Sequence, residues 1–472
     1  MKITIITVFP EFYDSFLKTS IIARAIENKI VSVNFIKFSD MCNIKERIDV
    51  PTCGPGAGMV IKPEVVQLAI EKAEKDFGQG YKIFFSPKGE KLTQDLLKDL
   101  TRCLDTNFVT QNSLPAFAQG FGGQAGTNAS FAKPVPHLIL LCARYEGFDA
   151  RTEQVYANKI ISIGDYVVMG GDLPAQVFIE SFLRLIPGIV GNQESVQKDS
   201  YSGSFLDYPA YSLPKVWNNL TVPEILFSGD HAKIEKWRQE QAAQDTIYKN
   251  FDWFISSNPD KKDIDLAKKF IPNHYVVLMH SQVNVTCNND INNNICVGHT
   301  SITSLDIHDI ARSSATYGIK NYFLVSALID QQKILKTFLD FWMSQEGQDY
   351  NLSRFEAVSR IIAKLNFDEV IAKIREQEGV EPIIITTSAK ESNLGNTGPK
   401  VIDYNSQSEI FSQKRPVLFV FGTGQGLSDE ILNKSNYLLL PIKGLTDYNH
   451  LSVRSAAAII LDRWLGLKNK VE

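Results

Sequence analysis

Ile161–Gln176 reads ISIGDYVVMGGDLPAQ. A β-branched run breaks at Gly164, re-extends through Tyr166-Val167-Val168, breaks again at Gly170-Gly171 and enters an amphipathic pattern through Asp172 and Pro174. The succession predicts a strand, a glycine-broken loop and a helix N-terminus. Such a break leaves bare backbone N–H and C=O groups that a ligand can approach. The same pattern also serves as a tight connection in any α/β protein, so its neighbours decide.

Upstream, KITIITVF (2–9) reads as a strand closed by Pro10, residues 12–29 have helical spacing, and Val31–Phe38 reads as a second strand. The turn-rich CGPGAG (53–58) precedes a helix from Pro63 to about Lys75, and KIFFSPKGEKL (82–92) gives a buried strand ending at Ser86-Pro87. HLILLCARYEGFD (137–149) is a strongly apolar strand ending in Arg144-Tyr-Glu-Gly147. Strands alternating with helices predict a largely parallel sheet. Thr106–Ala132 contains no charged residue and is rich in Gly, Ala, Asn, Gln and Phe, which marks 104–136 as a flexible insertion.

At 472 residues the chain has room for two domains or more. No apolar run approaches the ~18 residues of a membrane helix, and nothing at Met1 reads as a signal peptide. Six scattered cysteines without metal-ligand spacing predict reduced thiols and a cytoplasmic protein with no membrane partner. A net charge of −4 argues against indiscriminate nucleic-acid binding but allows a local basic surface for one structured RNA.

The pattern restarts at His274. IFFSPKG (83–89) matches IIITTSAK (383–390), LILLCARYEGFD (138–149) matches VLFVFGTGQGLSD (417–429), and the stretch at 160–188 matches 437–466. In each half three strands deliver three loops, and the last loop feeds a long apolar helix. Loops converging at the carboxyl ends of parallel strands make a ligand crevice. Gly422-x-Gly424-x-Gly426 lacks the spacing and the Lys-Ser/Thr of a phosphate loop; it suits an adenosine-bearing ligand held by backbone groups equally well.

FPEFY (9–13), GPGAGM (54–59), SPKGEKL (86–92), CARYEGFD (142–149), SIGDYVVMGGDLPA (162–175), RLIPG (184–188) and SGDHAKIEKWR (228–238) stand in this order. Through them, residues from about Met1 to Phe254 resemble the bacterial tRNA (guanine-N1)-methyltransferases, which modify the guanine 3′ of the anticodon. LDIHDIARSSATYGIKNYFLV (305–325), FGTGQGL (421–427), PIKG (441–444) and NHLSVRSAAAIILDR (449–463) make residues from about His274 to Leu467 similar to a second SPOUT-class RNA methyltransferase family. The resemblance implies an α/β fold of two trefoil-knotted parallel-sheet domains in tandem, with a small helical subdomain between them. It places the first domain at 1–190, a tRNA-binding helical subdomain at 207–258 and the second domain at 273–472, while the polar 191–206 reads as an interdomain loop and the charged 259–272 as a linker. It further implies S-adenosylmethionine as methyl donor, a role for Mg2+, tRNA as partner and a homodimer. Three positions depart from the first family's pattern: Asp49 stands without an acidic neighbour, and Ala143 and Leu213 replace a glycine and an arginine.

By the same resemblance Asp199 is the base that removes the guanine N1 proton, Arg184 counters charge on O6, and Glu146 helps hold the guanine. From the residues alone, Asp199 reads as a turn residue and Arg184 as a helix-surface cation. Ser86, Pro87, Tyr145, Gly147, Ile163, Gly164, Tyr166, Val168, Gly170 and Gly171 are expected to line the first donor site. Thr386, Gly422, Gly424, Gly426, Leu440, Ile442, Gly444 and Leu451 are expected to line a second. Lys215, Lys233, Lys236 and Arg238 are candidates for phosphate contacts or a solvated helix face. His450 reads as a base or a structural histidine, and Asn449, Ser452 and Arg454 crowd the same helix start. The second half is either a further RNA methyltransferase of undefined target or an inactive binding and dimerisation module.

Overall fold

The computed structural model describes residues 1–54, 58–105, 136–191, 199–287, 294–390 and 398–468. Residues 106–135 of the expected insertion and 192–198 of the expected interdomain loop lie outside them. The chain divides into two compact units, Met1–Ser202 and Gly203–Glu472.

In the first unit β1 (Lys2–Thr7), β2 (Ser32–Lys37), β5 (Tyr81–Lys91), β6 (His137–Leu141) and β7 (Lys159–Ser162) form one sheet in the order β2-β1-β6-β5-β7. Every pairing in it is parallel. At the centre of the sheet Leu138–Leu141 of β6 is apolar without a break because both faces are covered. Side chains alternate between the faces: Ile3, Ile5, Leu138 and Leu140 meet the helix Asp172–Leu183, while Ile6, Ile139 and Leu141 meet the helix Pro63–Phe77. A short antiparallel pair, β3 (Asp49–Pro51) with β4 (Met59–Ile61), stands apart from the sheet.

The second unit begins with β8 (Val216–Trp217) and β9 (Leu220–Thr221), followed by helices His231–Lys249, Phe251–Ser256 and Lys261–Ala267. Its sheet contains β10 (His274–Met279), β13 (Asn321–Val325), β14 (Ile361–Lys364), β15 (Ile383–Thr387), β16 (Lys400–Ile402), β17 (Val417–Gly422) and β18 (Tyr437–Leu439). The order is β14-β13-β10-β17-β15-β18-β16, parallel throughout. Its central run, β13-β10-β17-β15-β18, repeats the order β2-β1-β6-β5-β7 strand for strand. The match between the halves therefore extends from their loops to their topology. An antiparallel hairpin, β11 (Ser281–Thr286) with β12 (Ile295–His299), follows β10 directly.

The helices read as a separate subdomain with a linker behind it share this unit's core. Ile247, Phe251, Phe254, Ile255 and Ala267 are buried together with Val276, Leu278 and Trp464. Residues 261–267 form a helix capped by Asp260, whose side chain accepts from the Asp263 amide, so most of 259–272 is ordered rather than an open linker. Its charged residues are on the solvent side, and Ala267 supplies the buried contact.

Candidate functional site

In the first unit the sequence of glycine breaks builds a crossing of loops at the carboxyl ends of β5, β6 and β7. β5 does not stop at Ser86-Pro87. Ile161 pairs with both Phe85 and Glu90, so Ser86–Gly89 bulges out of a strand that then resumes. Gly89 sits where a Cβ would stand 2.6 Å from the Ile160 backbone, and only glycine permits the return. The second and third loops are joined by backbone: Arg144 bridges to Gly170, and the Gly171 N–H donates to Ala143 O at 2.8 Å. A Cβ on Gly171 would lie 2.8 Å from Cys142 Cα.

The second loop is held from its other side by the β3–β4 pair. Glu146 N–H donates to Met59 O at 3.0 Å, and Ile61 N–H donates to Gly147 O at 3.1 Å. Tyr145 and Gly147 carry positive φ, and among the described residues no atom beyond the chain neighbours lies within 4 Å of where a Gly147 Cβ would stand. That space beside bare backbone is what a ligand held by main-chain groups needs. Glu146 is exposed, and its side chain packs so closely on Gly58 that a Cβ there would overlap it.

The Tyr166-Val167-Val168 segment, expected to re-extend as a strand, is instead open loop. Tyr166, Val167 and Met169 are exposed, with Met169 91% accessible, because no strand among the described residues offers them a ladder. Ile163 and Val168 are half-buried, Gly164 takes φ +152°, and Ser162 Oγ bonds both the N–H and the C=O of Gly164. Pro87 is exposed, and Ser86 Oγ accepts from Lys88 N–H at 3.3 Å. Arg184 stands just past the helix Asp172–Leu183, and its Nε meets Asp199 Oδ2 at 2.6 Å.

In the second unit the same three loops surround a cavity of about 850 Å³. Of the residues expected there, Gly422, Gly424, Gly426, Leu440, Ile442 and Leu451 are in its wall, as are Asn449, His450 and Ser452. Thr386 and Gly444 are not among the lining residues. Thr386 is fully buried and its hydroxyl bonds Ser435 Oγ and Tyr437 O; strand alternation turns Thr387 to the cavity instead. Arg454 pairs with Asp306 at 3.6 Å and Asp309 at 3.4 Å.

The β11–β12 hairpin clamps the second loop here as β3–β4 does in the first unit. Asn284 N–H donates to Gly426 O, and Gln425 N–H donates to Asn284 O, both at 2.8 Å. His280, Thr300 and Asp306 also line the cavity and were not foreseen. The available signal was position: His280 directly follows a strand that ends beside Gly422. A pocket of this size is within the ~300–1,000 Å³ typical of small-molecule sites.

Lys215 lies over the Phe227 ring at 4.5 Å and Arg238 over the Tyr208 ring at 4.8 Å; Lys233 pairs with Asp230 at 3.0 Å, and Lys236 is exposed. Among the described residues, no three His, Cys, Asp or Glu side chains gather to hold a metal ion. No described helix is long and apolar enough to cross a membrane.

Comparison with known proteins places these sites among relatives. A family model described as tRNA (Guanine-1)-methyltransferase TrmD matches residues 1–110 and 122–256. A second, described as SAM-dependent RNA methyltransferase, matches residues 273–466. A protein of Nitratidesulfovibrio vulgaris named tRNA (guanine-N(1)-)-methyltransferase is 34% identical over 472 residues, covering 99% of both chains. One of the same name from Oleidesulfovibrio alaskensis is likewise 34% identical with 99% of each chain covered. A shorter one from Staphylococcus haemolyticus is 35% identical over 278 residues, covering 58% of this chain and all of its own.

Proposed function

The chain belongs to the tRNA (guanine-1)-methyltransferase family, and from that premise we propose that its two units hold two separate methyl-transfer sites. It is an S-adenosylmethionine-dependent tRNA (guanine-N1)-methyltransferase whose second half is an RNA methyltransferase domain. In our reading the first unit methylates the guanine 3′ of the anticodon, in the cytoplasm. The small helical segment at 207–258 would lay Lys215, Lys233, Lys236 and Arg238 along the tRNA backbone, where lysine and arginine position rather than specify.

Guanine N1 carries a proton at neutral pH, so its lone pair is unavailable until that proton leaves, and the charge then spreads to O6. S-adenosylmethionine supplies the methyl on a positively charged sulfur. Asp199 takes the N1 proton and Arg184 meets the charge on O6. N1 then forms the new bond to carbon, and the electrons of the broken sulfur–carbon bond stay on sulfur. The observation that carries this assignment is the Arg184–Asp199 contact at 2.6 Å. An anion and a cation one hydrogen bond apart match a ring edge on which a donor, N1–H, adjoins an acceptor, O6. Glu146, on the second loop, would help hold the base. The guanine must leave its stack to reach the pair.

Backbone of the three loops would hold the donor, with Ser86, Pro87, Tyr145, Gly147, Ile163, Gly164, Tyr166, Val168, Gly170 and Gly171 around it. A trefoil knot in each unit belongs to the same reading. Its support is the shared strand order, which brings the last three loops of each unit together. The exposed Val167, Met169, Leu173 and Val177 support a homodimer, since neighbouring apolar side chains left in water mark contact surfaces. For magnesium, which the resemblance implies, no cluster of three His, Cys, Asp or Glu side chains stands among the described residues.

Mapping methylated nucleosides in tRNA treated with the full chain tests this reading. It predicts 1-methylguanosine 3′ of the anticodon; methylation only at other nucleosides would contradict it.

A further inference from the structure

Hydrogen bonds in the wall of the second cavity fix the protonation of one buried ring. His280 is 1% exposed, and its Nδ1 is 3.0 Å from Thr300 Oγ. Thr300 Oγ is 2.5 Å from Thr423 Oγ, and Thr423 Oγ donates to Met279 O at 2.8 Å. A hydroxyl has one proton to give. Thr423 gives its proton to Met279, so Thr300 must give its own to Thr423. The remaining contact, Thr300 to His280, is then made by a proton on Nδ1.

His280 Nε2 is therefore an unprotonated acceptor, and among the described residues it has no hydrogen-bond partner. By contrast His274, in the same unit, uses both nitrogens: Nδ1 bonds Pro272 O at 2.7 Å and Nε2 accepts from Trp464 Nε1 at 3.1 Å. An orphaned acceptor in the wall of a ligand cavity calls for a donor from the ligand. Burial pushes the ring's pKa down to about 4, so it stays neutral and able to accept.

Position selects which ligand. The expected donor lining comes from the loops after β15, β17 and β18. His280 follows β10, which flanks β17 on the side away from β15. The ring thus stands at the edge of the cavity beside the strand that contributes no donor loop. We propose that His280 Nε2 accepts the hydrogen bond of the N–H or O–H group that RNA presents for methylation in the second unit. The inference rests on the reading of that cavity as a methyl-transfer site.

The full-length chain carrying Asp199→Ala, with the first site silenced, is the background for the test. Labelled methyl transfer to RNA from cells lacking this protein is measured for it and for added His280→Asn and His280→Gln, alongside S-adenosylmethionine binding by calorimetry. Asparagine can still donate to Thr300 but places nothing where Nε2 stood, whereas glutamine returns an acceptor there. The expected result is transfer reduced about tenfold or more by His280→Asn and restored to within about threefold by His280→Gln. Donor affinity should be the same in all three. Equal losses in both variants, or none in either, would overturn the inference while leaving the cavity's assignment intact. So would a loss of donor affinity in His280→Asn matching the loss of transfer, which would give the ring to the donor. No transfer by the Asp199→Ala parent, with the donor bound to the second cavity, would overturn the reading of that cavity and the inference with it.

Discussion

Asp172 and Arg144 form an ion pair with Nη2–Oδ2 2.8 Å and Nε–Oδ2 3.0 Å, the carboxylate 1% exposed. The same carboxylate accepts from Thr7 Oγ at 2.5 Å and Tyr13 Oη at 3.2 Å. It opens the helix after the third loop, where the helix dipole favours a negative charge. The pair thus fastens the arginine of the second loop to the start of that helix and to the end of β1. Arg144 in turn lies over Phe9 and Phe12, which explains the FPEFY stretch.

Asp172→Ala would strand three donors, one of them a cation. Removing one partner of a buried pair costs about 3–5 kcal/mol. Amide exchange in β1 and β6 should accelerate accordingly, while Asp172→Asn, which keeps acceptor oxygen for the hydroxyls, should cost less. Native protection in the alanine variant would show that the pair does not hold the loops.

Gly424 has φ +60°, and a Cβ there would lie 2.7 Å from Asn284 O on the clamping hairpin. Gly424→Ala is therefore strained twice, by its backbone and by a carbonyl that cannot swing aside. Calorimetry should find donor binding reduced from two sites per chain to one, with 1-methylguanosine formation unchanged. Two sites of native affinity in the variant would contradict the placement of a donor against this loop.

Burial holds both His274 and His280 at about 4 in the fold, down from 6.5. Unfolded imidazoles take up protons near 6.5, so acidification loads the unfolded chain first. The second unit should keep this part of its stability above pH 6.5 and lose it progressively as pH falls to about 4. Below that both states are protonated and the loss levels off. All five tryptophans lie beyond residue 203, so their fluorescence follows this unit alone. Urea midpoints should fall between pH 7 and pH 5, and less steeply in His274→Asn; a midpoint constant over that interval would contradict the assignment.

The parallel strands were legible because burial on both faces writes continuous apolar runs such as Leu138–Leu141 and Val417–Phe421. Glycine marked the loops for an equally local reason: Gly89 and Gly171 stand where backbone meets backbone. Tyr166-Val167-Val168 misled because β-branching signals a strand only where a neighbour completes the ladder, and among the described residues none does. The clamps on each second loop were invisible, since Met59 meets Glu146 and Asn284 meets Gly426 across long stretches of chain. Nor does local pattern say which core a helix joins, so Phe251–Ser256 read as part of a separate subdomain. Asp199 became a candidate only through resemblance; its contact with Arg184 spans fifteen residues of sequence.

The most direct measurement is single-turnover formation of 1-methylguanosine by the full chain and by Asp199→Asn, with S-adenosylmethionine affinity determined in parallel. The asparagine keeps the shape of the side chain but cannot take the N1 proton. The account predicts a rate lower by about 10²–10⁴-fold with donor affinity unchanged. A rate within a few-fold of the parent would contradict it.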